Sequence, residues 1–178
     1  MPSHPPRYTD LPLPEWRCVP VHAAVPDSAR LEPVTAGVPD RLDAADAAVH
    51  SAFLFGIDLY NHGFFWEAHE LWEPCWMALA PNSRERTGCR ALIQGANACL
   101  KLRFGWRKAF FRLSGEVARL VRDAHAGQGD VLGIDLETWS QDFSVFAERL
   151  RAGGELDPGY DASEVEAFPY LHLRVTRR

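Results

Sequence analysis

Between Asp40 and Gly154 the chain repeats one pattern five times: apolar side chains three and four residues apart, each run closed by glycine or proline. That spacing is the period of one helix face, whereas a half-buried strand would alternate every second residue. Val49, Phe53, Ile57 and Tyr60 form the first stripe, which Gly63 ends, and a second helix is expected from about Phe64 to Ala78. The third follows Asn82 or Ser83 as cap and runs through CRALIQGANACLKLRFG. Phe110, Leu113, Val117 and Leu120 mark the fourth, before Gly127 and Gly129. Leu136, Trp139, Phe143, Phe146 and Leu150 mark the fifth, capped by Asp135 and stopped by Gly153 and Gly154. No sustained β alternation and no internal repeat interrupts this series, so the expected class is all-α: a compact bundle of about five helices, with antiparallel neighbours on short connections. Pro74 falls inside the second helix, where it removes one hydrogen bond and crowds the Glu70 carbonyl at a cost of about 3 kcal/mol. Either the helix kinks there or a neighbour repairs it.

Nine of the thirteen prolines fall in the first 40 residues, where fixed backbone angles and missing N–H groups discourage helix and sheet alike. The expected division is an extended Pro-rich arm over 1–40, a helical domain over 41–154, and a C-terminal tail over 155–178 that packs on the domain. A length of 178 residues suits one such domain with its ends. No apolar run reaches the roughly 18 residues of a membrane-spanning helix, and the start lacks the apolar stretch of a secretory signal. A cytoplasmic protein without membrane contact is expected. Cys18, Cys75, Cys89 and Cys99 lack the paired spacing of a zinc ribbon or redox motif and read as small apolar thiols.

The net charge of −5 is unevenly spread. Ten basic residues against two acidic ones give Arg84–Arg122 a net +8, leaving −13 for the remainder. Such a segment either presents a basic surface to an anionic partner or packs beside acidic elements, and the second account is preferred.

The chemistry concentrates in FFWEAHELWEPCW, residues 64 to 76. On a helical wheel with Glu67 at zero, Phe64, Phe65, Ala68, Leu71, Trp72 and Cys75 cover roughly 40° to 160°, and Glu67, His69, Glu70 and Glu73 roughly 200° to 360°. A solvated face would explain the acidic arc alone. Trp66, Trp76 and Met77 lie in or beside it, however, and two tryptophans imply that a neighbour covers this side. His69 and Glu73 are four apart and Glu67 and Glu70 three apart, so each pair shares a surface patch. Imidazole and carboxylate suit a divalent metal ion, with other helices completing the site. Neither the two-histidine zincin pattern nor the Glu-x-x-His di-iron pattern is present, because Glu67 precedes His69 by only two.

On the third helix Thr87, Arg90, Gln94, Asn97 and Lys101 make a polar stripe through apolar sequence. Arg90 or Lys101 could neutralise Glu70 or Glu73, giving either a structural network between two helices or a polar pocket. His50 shares a face with Asp46 and Asn61 and reads as a structural residue, and His125 closes the fourth helix. No nucleophile elbow, phosphate loop or dinucleotide fingerprint points to other chemistry.

YNHGFFWEAHELWEPCW, followed by RERTGCRALIQGANACLKL, resembles the domain-of-unknown-function 309 family over about residues 45 to 150. The matching positions are Asn61, Gly63, Phe65, Glu67, His69, Glu70, Glu73 and Trp76, with Leu92, Ile93 and Gln94; FPYLHL resembles the segment after the last family helix. The resemblance implies a compact helical fold and a metal-dependent hydrolase label, without a substrate. Family members often carry a histidine or tyrosine where this chain has Cys99, Leu100 and Lys101, so no ligand is expected from that turn. The resulting expectation is a pocket lined by Asn61, Trp66, Trp76, Arg90 and Gln94. In it His69 and Glu73 would hold a divalent metal while Glu70 or Glu67 moves a proton, for hydrolysis of a small-molecule substrate. The rival is a non-catalytic scaffold whose His/Glu cluster is structural and whose basic helices bind an anionic partner. Nucleic acid is not the expected partner, since Phe110 and Phe111 are explained as core, and a homo-oligomer is left open.

Overall fold

The computed structural model describes residues 5–15, 31–125, 129–153 and 168–173. Seven helices lie among them: α1 (Glu32–Thr35), α2 (Ala44–Val49), α3 (Ser51–Asn61), α4 (Phe65–Ala78), α5 (Arg84–Arg103), α6 (Arg107–His125) and α7 (Leu136–Ala152). Among the described residues β-pairing is limited to isolated bridges, and no helix is long and apolar enough to cross a membrane. The class is all-α. In sequence order, α3 packs on α4, α4 on α5, α5 on α6 and α6 on α7. Cys18 lies outside the described residues, while Cys75, Cys89 and Cys99 are buried free thiols. Burial pushes Cys75 and Cys99 up to about 12.

The first apolar stripe does not form one helix. His50 has extended backbone between α2 and α3, and its Nδ1 accepts the Ala52 N–H at 3.2 Å. Its other nitrogen, Nε2, therefore carries the proton and donates to the Gly37 carbonyl at 3.2 Å. A side-chain cap made in mid-stripe resets the helical phase, and Val49, expected inside, is 71% exposed. The remaining starts follow the sequence: Ser83 caps α5 through the Arg86 N–H, and Asp135 caps α7 through the Thr138 N–H. α4 continues unbroken through Pro74.

The basic segment has an internal explanation. Arg86 donates to the Met77 and Leu79 carbonyls at the end of α4, at 3.3 and 2.9 Å. Arg84 reaches the Ala124 carbonyl in the last turn of α6 at 3.2 Å, and Arg107 the Leu150 carbonyl in the last turn of α7 at 2.7 Å. Arg103 donates to Gly63, in the turn after α3, at 2.7 Å. The last carbonyls of a helix have no intrahelical donor and carry its negative dipole end, which a guanidinium satisfies on both counts. Three helix ends and one turn thus absorb four of the ten cations.

Two chain segments are strapped to α3. Asp58, fully buried, accepts the Tyr8 N–H at 2.7 Å and both the N–H and the hydroxyl of Thr9, at 2.9 and 2.7 Å, with Arg7 Nε at 3.2 Å. Asn61 makes a two-way amide pairing with Leu171, donating to its carbonyl at 2.8 Å and accepting its N–H at 2.7 Å. The Tyr8 hydroxyl accepts the Leu173 N–H at 3.0 Å, so the two segments also touch each other. Part of the Pro-rich stretch is therefore docked, and α1 forms within it where Pro33 suits the first helical turn.

Candidate functional site

The apolar arc of α4 is fixed first. Phe65, Ala68, Leu71, Trp72 and Cys75 are fully buried, and Trp72 Nε1 donates to the Phe53 carbonyl of α3 at 3.1 Å. With that arc pinned on α3, the polar arc of α4 is carried toward α5. Cys89 and Asn97 of α5 meet Trp72 and His69 of α4, so the two helices run antiparallel through this region.

Glu67 is 5% exposed, His69 and Glu70 are half-buried, and Glu73 stands at the rim with its side chain 53% exposed. The acidic arc is walled in at one edge and open at the other. His69 Nε2 lies 3.1 Å from Glu73 Oε1, and His69 Nδ1 lies 3.1 Å from Asn97 Oδ1. One ligand atom from each of His69, Glu70 and Glu73 falls within 4.8 Å of the others. A ring with oxygen acceptors at both nitrogens is short of one cation if it is neutral, because neutral imidazole has a single N–H. A second proton or a bound cation would resolve that contact. Burial pushes the Glu70 carboxyl above the ordinary glutamate range, with His69 pulling it down and Glu73 pushing it up.

The surrounding residues divide. Trp66 and Trp76 are half-buried, one turn before His69 and one turn after Glu73, and the Arg86 guanidinium sits 4.5 Å from the centroid of the Trp76 ring. Gln94 is half-buried on α5, one turn before Asn97. Asn61 is occupied by Leu171 instead of facing an open pocket. Arg90 does not neutralise Glu70 or Glu73: it is exposed and lies 3.7 Å from Glu116 of α6. Lys101 stacks over Trp106, 4.9 Å from its centroid. Arg90 and Asn97 lie within about 20° of each other around α5, so facing alone does not separate them: Asn97 pairs with His69 of α4 while the long Arg90 side chain reaches Glu116 of α6. Asn97 is the residue that sequence reasoning left out of the site. Its signal was the same stripe, but spacing alone does not tell which member meets the histidine.

Residues 53–113 match the model of a family described as Domain of unknown function (DUF309), and the resemblance read from the sequence holds over that stretch. His69, Glu70, Glu73 and Asn97 all lie within it, and the description states no activity. Neither the curated proteins nor the solved structures gave a match to this chain.

Proposed function

We propose that His69 and Glu73 hold a divalent metal ion, with the Glu70 carboxyl beside them as proton donor, for hydrolysis of a small-molecule substrate. The observation that carries this reading is the convergence of one nitrogen and two carboxylate oxygens within 4.8 Å on a face that solvent can still reach. The donor set fits. His69 Nε2 and Glu73 Oε1, 3.1 Å apart, are the imidazole nitrogen and carboxylate oxygen that such an ion takes. Mixed imidazole and carboxylate donors suit zinc, manganese or iron better than they suit calcium or copper(I).

A bound divalent ion supplies a Lewis acid at the reacting oxygen. His69 and Glu73 would hold it, and Glu70 has the exposure and the raised proton affinity to deliver a proton to a leaving group. Glu67 is too deeply buried to exchange with solvent readily, which favours Glu70 for that step. Trp66 and Trp76, half-buried one turn to either side of the cluster on α4, would offer planar apolar contact to a substrate.

The same contacts carrying a proton instead of a metal would be an imidazolium–carboxylate pair, a structural network without catalysis. Chelated protein titrated with Zn2+, Mn2+ or Co2+, followed by calorimetry and thermal melting, separates the two. The metal reading expects stoichiometric binding and a raised Tm, both lost in His69→Ala. No binding by the wild-type protein, with melting unmoved by chelator, eliminates it.

A further inference from the structure

We propose that Asn97 is a positioning residue: its Oδ1 accepts the Nδ1–H of His69 and holds the ring so that Nε2, facing Glu73, is the nitrogen left for a metal ion. The observation is the contact from α5 to α4, with Nδ1 and Oδ1 3.1 Å apart, on the ring nitrogen opposite the one that meets Glu73. A neutral imidazole has two tautomers, and which one is present is set by the hydrogen bond made by the nitrogen not used for ligation. The Asn97 amide oxygen at Nδ1 and the Glu73 carboxylate 3.1 Å from Nε2 compete for the ring's single N–H, and a cation at Nε2 would settle that proton on Nδ1, where Asn97 accepts it.

The same bond fixes the ring plane. Without it the imidazole of a half-buried histidine can turn about its Cβ–Cγ bond, and Nε2 leaves the neighbourhood of the two carboxylates. A neutral amide does this without adding charge. An aspartate at 97 would orient the ring too, but it would also raise the ring's affinity for a second proton, which competes with a metal. Asn97 thus makes α5 a contributor to the site although it supplies no ligand atom. This inference rests on the metal site proposed above.

The experiment is a long-range proton–nitrogen correlation spectrum of 15N-labelled, Zn2+-loaded wild-type protein, assigned with His69→Gln. His69 is expected to show a protonated Nδ1 and an unprotonated, metal-bound Nε2. A ring bound through Nδ1 and protonated at Nε2 overturns the proposal while the metal reading stands, and this measurement needs no folded variant of residue 97. Asn97→Leu is expected to lose the single tautomer and to weaken Co2+ binding by about 10- to 100-fold, the range for removed outer partners of a metal-ligating histidine. Asn97→Asp, which keeps an acceptor in place, is expected to recover the Nδ1–H tautomer and, at a pH where the ring takes no second proton, most of the Co2+ affinity. Unchanged Co2+ affinity in a folded Asn97→Leu also overturns the positioning role. If wild type binds neither Zn2+ nor Co2+, the proposal falls together with the metal reading it rests on.

Discussion

Gly56 of α3 lies against the indole of Trp72 of α4 so closely that a Cβ on the glycine would overlap the ring at Nε1, Cδ1 and Cε2. The indole cannot swing aside freely, because its N–H is held on the Phe53 carbonyl one turn away. This contact sets how near the hairpin helices approach, and with it the rotation of α4 that turns His69 toward Asn97. Gly56→Ala gains helix propensity but overpacks a pinned ring, and a net loss of about 1–3 kcal/mol is expected. Urea denaturation measures it; stability equal to or above wild type would show that the hairpin relaxes at no cost.

Asp58 gathers the N-terminal segment onto α3. Asp58→Ala strands the Tyr8 and Thr9 N–H groups and the Thr9 hydroxyl, and the expected loss is on the order of 3 kcal/mol. Limited proteolysis should then cut within residues 5–15 much faster than in wild type. Equal cutting rates would mean that the apolar contacts of Tyr8, Leu11 and Leu13 hold the segment without the carboxylate.

Glu70 binds its proton more tightly in the folded chain than in the unfolded one, chiefly through burial. In metal-free protein the folded state therefore holds more protons between the ordinary glutamate pKa and the raised value. Stability from this group is full below that window and is lost as pH rises through it. Glu70→Gln should flatten this part of the urea-midpoint curve recorded in chelator. The same slope in wild type and variant would remove Glu70 as the group responsible.

Arg103 joins the end of α5 to the turn after α3 and stacks over Phe65, 4.6 Å from the ring centroid. Arg103→Met keeps much of the stem and loses the charged hydrogen bond, for an expected cost of about 1.5–3 kcal/mol. A cost near zero would return Arg103 to the pool of cations open to a partner. The same accounting of the basic helices predicts only a shallow salt dependence for any duplex DNA binding, since arginines held on carbonyls release few counterions. A slope of several charges in a low-salt titration would revive the anionic-partner scaffold.

Much of the fold was legible in the residues themselves. The stripes ending at Ala78, Gly105 and Gly153, with caps at Ser83 and Asp135, mark α4, α5 and α7 to within a residue or two. Hydrophobic period and capping chemistry are local properties and can be read without a partner. The break at His50 escaped this reading. Its cause is a side chain bonding its own backbone two residues on, and the apolar spacing looks the same with or without that bond.

The sequence by itself determined that Glu67, His69, Glu70 and Glu73 share one arc of a helix, because 100° per residue leaves no choice. It also determined that a polar stripe runs along the next helix. Only the tertiary structure decided the pairings: Asn97 to His69, Arg90 to Glu116, Asn61 to Leu171. Those depend on the rotation and offset of one helix against another. Both are set by the packing of large apolar side chains into the space left by small ones, as Trp72 packs on Gly56, and no periodicity within a single helix encodes them.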